Sequence, residues 1–296
     1  PEVLQALSVQ PGGRYIDATL GEGGHSTSIL SAADPGGQVL GLDADPEAVS
    51  VATERLVDAG ETFLALNVNF RDIRATALRY EFVPVHGGLF DLGVSSLQLD
   101  REARGFSFRR ADPLDMRFDF DQQLTAADIV NDYAESEIAD VIFHLGEDRA
   151  ARRIARAIVR NRPITTSLEL ADLIEKVNPR RGSRIHPATR TFQAIRIAVN
   201  DELSALETAL EQAVSLLGQG GRLAVISYHS LEDRIVKNFI RKQASDCICP
   251  PGTPVCVCDH LATVKIITRR PIVPTDAEIE TNSRARSAKL RVAERI

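Results

Sequence analysis

The chain has 296 residues, of which 44% are hydrophobic and 26% are charged, and its formal net charge is −6. These proportions are those of a globular protein, and they exclude a disordered or fibrous chain. No apolar run approaches the roughly 20 residues that a membrane-spanning helix requires. The first residues lack the basic start and apolar centre of a secretory signal, and the four cysteines fall within twelve residues, unlike the disulfide framework of a secreted domain. We therefore expect a cytoplasmic protein with no membrane partner.

The charge is unevenly distributed along the chain. Residues 149–196 contain eleven arginines and one lysine but only three acids, which gives this segment a charge of +9 and leaves −15 for the remainder. Codon usage can explain why arginine outnumbers lysine, but it cannot explain why acids are scarce in this one segment. A basic face on an acidic protein is typical of proteins that bind polyanions.

The first third of the sequence alternates short apolar runs with helical patterns. A helix is predicted over residues 46–59, where Pro46 suits the first helical position. Strands that alternate with helices are joined by right-handed crossovers, which build a parallel sheet. Four segments read as such strands: 14–20, 38–43, 62–67 and 88–94.

The pattern changes after the fourth strand. Residues 125–196 are almost entirely helical in pattern, with a capping box that begins at Thr166. The sequence thus predicts a doubly wound α/β domain, residues 1–99 and 200–296, which is interrupted by a helical insertion, residues 100–199. The elements predicted after the insertion are helix 200–217, strand 221–227, helix 231–243, and strands 262–268 and 288–293.

A glycine-rich turn, DATLGEGGH at residues 17–25, follows the first predicted strand. Glycines at this position let the backbone approach a ligand closely, at the start of a helix and the carboxyl edge of the sheet. Asp43 ends the second strand, 22 residues after Gly21, where an acid can accept hydrogen bonds from ribose hydroxyls. The pattern indicates a nucleoside cofactor, with a tight turn that binds no ligand as the alternative.

Two classes of cofactor use this geometry. A dinucleotide site needs G-x-G-x-x-G in order to seat a pyrophosphate at the helix N-terminus, and here the third glycine comes too early, at Gly24. Asp17 and Glu22 would repel a diphosphate, whereas they would attract the amino group and sulfonium of S-adenosylmethionine (AdoMet). The turn therefore favours AdoMet over NAD.

Polar residues also follow the fourth and fifth strands. Asp91 begins the segment DLGVSSLQ, residues 91–98, that leads out of the fourth strand, a position where methyltransferases that modify exocyclic amines carry a polar residue beside the methyl group. The fifth strand ends in SYHS at residues 227–230. A hydrolase triad of Ser230, His229 and Asp233 is disfavoured, because triad members normally come from separate elements and no G-x-S-x-G turn is present.

Long blocks of the sequence resemble a known family. They are GEGGHS (21–26), DLGVSSLQLD (91–100), RGFSFR and PLDMR (104–109 and 113–117), HPATRTFQAIRIAVNDEL (186–203) and SYHSLEDRIVK (227–237). The family is RsmH, also called MraW, bacterial enzymes that place a methyl on N4 of a cytidine in the small-subunit ribosomal RNA, near the decoding site. The resemblance covers nearly the whole chain. It implies a class I AdoMet-dependent methyltransferase fold and 16S rRNA, within the small ribosomal subunit, as the partner.

The resemblance also implies roles for individual residues. Phe70 and Gln98 enter the site from the resemblance alone, and Phe70 would otherwise be read as a core residue. The chemistry of the transfer, separately from the resemblance, makes Asp91 the candidate acceptor for an N4 hydrogen, with a role toward the cofactor alone as the alternative. Asp115, Tyr228 and His229 are weaker candidates for recognising or stacking on the base. Carried over by position, the family's AdoMet contacts fall on Gly23, Gly24, His25, Asp43, Phe70, Asp91 and Gln98.

The basic insertion gains a role that can be tested. We expect its basic face to hold RNA phosphates while the target cytidine is turned out into the pocket at the sheet edge. A solvated basic face without a partner is the alternative. The arginines that recur there at helical spacing are Arg149, Arg152, Arg153, Arg156 and Arg160.

Two C-x-C pairs, Cys247 with Cys249 and Cys256 with Cys258, flank a Pro-Pro-Gly sequence. Four thiolates are a ligand set for zinc, but zinc knuckles usually have wider C-x₂₋₄-C spacing. Paired disulfides are a further alternative. We therefore expect simple reduced thiols and no metal.

Three other functions stay open on the sequence alone. The glycine spacing disfavours a nicotinamide-linked oxidoreductase, and the +9 segment disfavours a methyltransferase for small molecules. A non-catalytic RNA-binding module that kept the fold is disfavoured because the glycine turn and Asp43 are intact.

Overall fold

The computed structural model describes residues 1–179, 186–250, 252–253 and 255–296. The chain divides into two compact units. The first, which we call the sheet unit, consists of Pro1–Gly93 and Leu203–Ile296, and the second, the helical unit, is Val94–Glu202. The boundaries expected from the sequence, 99/100 and 199/200, lie a few residues away.

The sheet unit is built on one seven-stranded sheet. The strands are β1 Arg14–Asp17, β2 Gln38–Asp43, β3 Phe63–Asn67, β4 Val85–Asp91, β5 Leu217–Ser227, β6 Val264–Ile266 and β7 Lys289–Arg295. Their order is β3-β2-β1-β4-β5-β7-β6, in which β1 to β5 are parallel and β7 runs antiparallel between β5 and β6. This is the strand order of class I methyltransferases, and the predicted doubly wound α/β fold is confirmed.

Helices connect the strands and build the helical unit, to which α5 to α10 belong. No helix in the described ranges combines the length and the apolar character that crossing a bilayer requires. In chain order the helices are α1 Glu2–Leu7, α2 Gly24–Ala33, α3 Pro46–Arg55, α4 Ile73–Arg79, α5 Ser96–Asp100, α6 Ala126–Asp132, α7 Glu135–Gly146, α8 Ala151–Arg160, α9 Ser167–Val177, α10 Thr189–Asn200, α11 Glu202–Leu216, α12 Ser230–Gln243 and α13 Asp276–Thr281.

The central strands are buried on both faces. In β1, Tyr15 packs in one apolar cluster and Ile16 in another, and in β4 Leu89 and Phe90 divide in the same way. Successive side chains of a strand point to opposite faces, so each face of the sheet has its own core. The polar residues that end these strands therefore gather at the carboxyl edge, beyond the apolar part of each strand.

The helical unit has a separate core, formed by the apolar faces of its helices. Ile154 and Ile158 of α8 and Ile174 of α9 are fully buried in it. The capping box predicted at the start of α9 is confirmed, because Thr166 Oγ1 accepts the Glu169 N–H and Glu169 Oε2 accepts the Thr166 N–H. This unit thus has the packing and the caps of an independently stabilised bundle.

β1 ends at Asp17 and β4 spans Val85–Asp91, against predicted strands 14–20 and 88–94. Three further elements differ from their predicted extents for a visible reason. α3 ends at Arg55, because the chain passes into a 3-10 turn in which Gly60 has a φ of +54°. β5 begins at Leu217, inside the predicted helix, since Leu217 pairs with Val85 of β4. β6 is shorter than predicted, because only Val264–Ile266 pairs with β7. In each case a tertiary contact or one backbone conformation sets the boundary.

Candidate active site

The glycine turn lies where it was predicted, between β1 and α2. Gly23 is the N-cap of α2 and has a φ of +79°, a left-handed conformation that residues with a Cβ rarely adopt. A Cβ at this position would also come within 3.2 Å of Ala52 and 3.4 Å of Leu56. No side chain therefore covers the backbone of the turn at Gly23. Gly24 is exposed at the start of α2, where peptide N–H groups are available to a ligand.

Asp43, at the end of β2, is held in place by backbone groups. Its Oδ2 accepts a hydrogen bond from the Gly21 N–H at 2.8 Å, and its Oδ1 accepts one from the Asp45 N–H at 2.9 Å. Burial raises the pKa of Asp43 to about 6, and these backbone hydrogen bonds oppose the rise. Each carboxylate oxygen has a second lone pair, so the group can still accept hydrogen bonds from a ligand.

Asn67 supports Asp43 and was not identified from the sequence. It ends β3, and its side-chain amide donates to the carbonyl oxygens of Asp43 and Ala44, both at 3.0 Å. The sequence feature that could have identified Asn67 is its position at the end of a predicted strand, because the carboxyl ends of neighbouring parallel strands meet at one edge of the sheet.

Asp17, at the end of β1, is fully buried beside the turn. Ser26 Oγ donates a hydrogen bond to its Oδ2 at 2.8 Å. Burial raises the pKa of Asp17 to about 7, and the charge of His25 and the Ser26 hydrogen bond oppose the rise. A positively charged ligand at this edge would favour the ionised carboxylate.

The buried carboxyl of Asp17 predicts a pH dependence of stability. Its pKa is about 7 in the folded chain against an ordinary 3.8, so between these pH values the folded state keeps a proton that the unfolded state releases. The stability contributed by Asp17 is thus fully present below about pH 4 and is lost as the pH rises through about 7. The free energy of unfolding of Asp17→Asn, measured by denaturant titration from about pH 4 to about pH 7, should not show this loss. If the free energies of the variant and the wild type change with pH in parallel, the assignment is contradicted.

Three side chains from different elements meet at Asp91, the end of β4. Tyr228, just past β5, donates its hydroxyl hydrogen to Asp91 Oδ1 at 2.9 Å, and His25 Nε2 lies 3.3 Å from Asp91 Oδ2. The Asp91 N–H donates to Thr19 Oγ1 at 2.6 Å, which ties the end of β4 to the glycine turn. The Asp91 side chain is still 27% exposed, so a substrate can reach it.

The Asp91 carboxylate sets the protonation of its neighbours. Its hydrogen bond to His25 raises the pKa of that imidazole, against the opposing effect of burial. Burial, followed by the charge of Asp91, raises the pKa of Tyr228 well above that of a free phenol. Tyr228 therefore keeps its proton and acts as a hydrogen-bond donor to Asp91 rather than as a base.

His229 is engaged with its own helix. Its Nδ1 accepts the Glu232 N–H at 3.3 Å, and its Nε2 lies 3.1 Å from Glu232 Oε1. Glu232 Oε2 accepts the N–H groups of Tyr228 and His229 in return. These contacts form the capping box of α12. A role of His229 in recognising or stacking on the base stays a prediction.

The two residues taken from the resemblance alone lie in different units. Phe70 begins a 3-10 turn just past β3, and its half-buried ring meets Phe90 edge to face, with the centroids 5.8 Å apart. Gln98 belongs to the helical unit, where its side-chain oxygen accepts the Ser95 N–H at 3.1 Å in the capping box of α5. Their contacts with a cofactor stay predictions.

The five arginines of the predicted RNA-binding face are exposed. Arg149 precedes α8, and the other four lie along that helix, opposite its buried isoleucines. Arg153 donates to Asn178 Oδ1 at 2.8 Å, and Arg156 Nε lies 3.4 Å from Glu135 Oε1. Three further arginines of the basic segment lie outside the described residues: Arg180, Arg181 and Arg184.

Comparison with known proteins identifies the family. A family model described as the MraW methylase family matches residues 1–296. The ribosomal RNA small subunit methyltransferase H of Dehalococcoides mccartyi strain BAV1 is 59% identical over 295 residues, which are 100% of this chain and 84% of that protein. Its counterpart from Thermomicrobium roseum is 53% identical over 296 residues, 99% of this chain and 91% of the relative.

Among solved structures, an rRNA methylase from Streptococcus thermophilus aligns with 98% of this chain and 92% of its own, at a TM-score of 0.45 and 12% identity. The family match over the whole chain sets aside both the nicotinamide-linked oxidoreductase and the non-catalytic module. The chain belongs to the MraW methylase family, and it is a methyltransferase that uses AdoMet.

Proposed function

We propose that this enzyme transfers a methyl group from AdoMet to N4 of a cytidine in 16S rRNA, near the decoding site. The relatives that share more than half of its residues are named as small-subunit rRNA methyltransferases, which supports the substrate class. The observation that carries the proposal is the Asp91, Tyr228 and His25 cluster, which lies at the same sheet edge as the bare glycine turn.

We assign the AdoMet site to this carboxyl edge. Asp43 would accept hydrogen bonds from the ribose hydroxyls, and Phe70, just past β3, would lie against the adenine. Asp17 and Asp43 both have raised pKa values, and a cationic ligand would lower the cost of ionising them, so the residues present fit a sulfonium cofactor. The remaining proposed contacts are Gly23, Gly24, His25, Asp91 and Gln98.

The protein must also activate a poor nucleophile. Bound AdoMet supplies a methyl group that its positive sulfur makes electrophilic, whereas the lone pair of cytosine N4 is delocalised into the ring. Asp91 would accept a hydrogen bond from N4–H, return electron density to the nitrogen and take up the proton. Tyr228, which donates to Asp91 Oδ1, is then a positioning residue. Alignment of the two reactants in a pocket without water provides the rest of the acceleration.

The helical unit is the proposed site of RNA recognition. α8 exposes a row of arginines on an otherwise acidic protein, and contacts from such residues to phosphates fix the position of a nucleic acid without reading its sequence. The target cytidine would then be turned out of its strand toward Asp91. We propose that the enzyme acts on the RNA within the small ribosomal subunit, in the cytoplasm.

Charge reversal tests the arginine face. Arg149, Arg152 and Arg160 changed together to glutamate should weaken RNA binding and lower the salt dependence by about 0.7–0.9 for each phosphate that the protein no longer neutralises. AdoMet binding should be unchanged, because the predicted cofactor contacts are all other residues. Binding is measured by filter retention or fluorescence anisotropy at several salt concentrations.

The matched control reverses three exposed arginines of the sheet unit, Arg269, Arg270 and Arg286, which changes the net charge by the same amount. It should retain most of the RNA affinity. Unchanged affinity in the first variant, or equal losses in both, would refute the assignment of the RNA face to α8.

The proposed activity is tested by mapping the product. Small ribosomal subunits that lack the modification, and naked 16S rRNA from the same cells, are incubated with the enzyme and tritiated AdoMet. We expect label on a single cytidine N4 near the decoding site, with subunits labelled faster than naked RNA. Label on another atom would overturn the N4 assignment, and faster labelling of naked RNA would overturn the subunit as substrate.

A further inference from the structure

The four cysteines come together in the loop between α12 and β6. Their Sγ atoms all lie within 4.8 Å of one another, with Cys256 to Cys258 at 3.5 Å and Cys258 to Cys247 at 3.8 Å. The loop has no helix or strand among its described residues. The thiols are therefore gathered by the path of the loop itself and not by a surrounding sheet or bundle.

These separations match a tetrahedral metal–sulfur site. Zinc binds cysteine sulfur at about 2.3 Å, which places the four sulfurs of a tetrahedron about 3.8 Å apart. A disulfide would need about 2.05 Å between two sulfurs, and all four cysteines are free. Four soft thiolates in this arrangement select zinc, or iron in an iron–sulfur centre, over hard cations.

Backbone hydrogen bonds link the two C-x-C pairs. Ile248, between the first two cysteines, donates its N–H to Cys258 Sγ at 3.3 Å, and Val257, between the last two, donates its N–H to Cys249 Sγ at 3.4 Å. Each pair thus supplies a donor to a sulfur of the other pair. Hydrogen bonds of this kind stabilise thiolates and orient metal ligands, which reduced thiols without a metal would not require.

Apolar packing adds little stability to the described part of this loop. Val255 and Val257 are 72% and 76% exposed, so the apolar side chains at its tip add little core. Small segments without a core are commonly held by a structural metal. The short C-x-C spacing argues against zinc only when each pair is considered alone, and here two pairs converge from opposite arms of the loop.

We propose that Cys247, Cys249, Cys256 and Cys258 bind one zinc ion as a closed, structural site that fixes the α12–β6 loop. Each thiol that is protonated releases its proton as the zinc–sulfur bond forms. His260 is not part of the ligand set, because its Nδ1 is bonded to the Ser245 carbonyl at 2.8 Å. The proposal does not depend on the identity of the RNA substrate.

The full-length protein provides the first test. It is purified under reducing conditions with zinc in the medium, and its metal content is measured by plasma mass spectrometry. We expect one zinc per chain, released in proportion as a mercurial reagent titrates the four thiols, and visible absorption typical of tetrahedral cobalt–thiolate after cobalt replacement. Zinc-free protein, recovery of disulfides, or stoichiometric iron in place of zinc would each overturn the proposal.

Variants locate the site. Cys256→Ser combined with Cys258→Ser should reduce the bound zinc to near zero, whereas the control His260→Ala should keep one zinc per chain. Far-ultraviolet circular dichroism checks that both variants are folded. If the double variant does not fold, the test of the four-cysteine site is the mercurial titration of the wild-type protein. Loss of zinc in His260→Ala, or its retention in the double variant, would contradict the four-cysteine ligand set.

Discussion

Replacing Asp43 with alanine is expected to abolish AdoMet binding measured by isothermal titration calorimetry. Its carboxylate is the proposed acceptor for the ribose hydroxyls, and hydrogen bonds to a charged group contribute about 1.5–3 kcal/mol each. Losing two of them weakens binding more than about a hundredfold, since about 1.4 kcal/mol corresponds to a factor of ten. The change also frees the Gly21 and Asp45 N–H groups, which loosens the turn and acts in the same direction.

Two companion variants separate these effects. Asp43→Asn keeps one oxygen as an acceptor for a backbone N–H but removes the charge, so it should stay folded and still lose most of the affinity. Asp58→Ala removes an exposed acid from the same unit and should bind AdoMet as the wild type does. Micromolar affinity retained in Asp43→Ala would place the cofactor pocket elsewhere.

Asp91→Asn is expected to lower the rate of methyl transfer by roughly 10²–10⁴-fold, the range that a positioned proton acceptor contributes. The amide keeps the size of the carboxylate but cannot take a proton from N4. The rate is measured in single turnovers on unmodified small subunits at saturating AdoMet, so that a change in cofactor affinity does not enter. Asp34→Asn, an exposed acid that follows α2, is the matched control, and a wild-type rate in Asp91→Asn would remove Asp91 from the chemistry.

Tyr228→Phe distinguishes positioning from binding. It keeps the ring but removes the hydroxyl that holds Asp91 Oδ1, so kcat should fall less than in Asp91→Asn, with little change in KM for the RNA. An increase in KM at constant kcat would instead show that the hydroxyl binds the substrate.

The central strands of the sheet could be predicted because they are buried on both faces. Such strands form short continuous apolar runs, and β2 was predicted with the bounds that the structure has. The ends of other elements depend on information that a local pattern lacks. The start of β5 is set by the pairing of Leu217 with Val85, more than a hundred residues away, and the end of α3 by the turn that contains Gly60.

The candidate site also combines features that the sequence could predict with features that depend on distant contacts. The strand-end acids could be placed at one edge from topology alone, since a parallel sheet brings its carboxyl ends together. The contacts between side chains could not be predicted, because Tyr228 and Asp91 are 137 residues apart and meet through the orientations of two side chains. His229 illustrates the limit, since a polar residue at a strand end can serve either the site or the cap of the next helix. The convergence of the cysteines depends in the same way on the path of a loop.

During synthesis, β4 leaves the ribosome long before its partner strand. β4 and β5 pair from Val85 with Leu217 to Asp91 with Ile226, and all of Val94–Glu202 is translated between them. The helical unit has its own core and can fold in that interval, while the edge of β4 stays open to wrong pairing. A nascent chain therefore carries a half-built sheet through more than a third of its translation, until β5 emerges and pairs with β4.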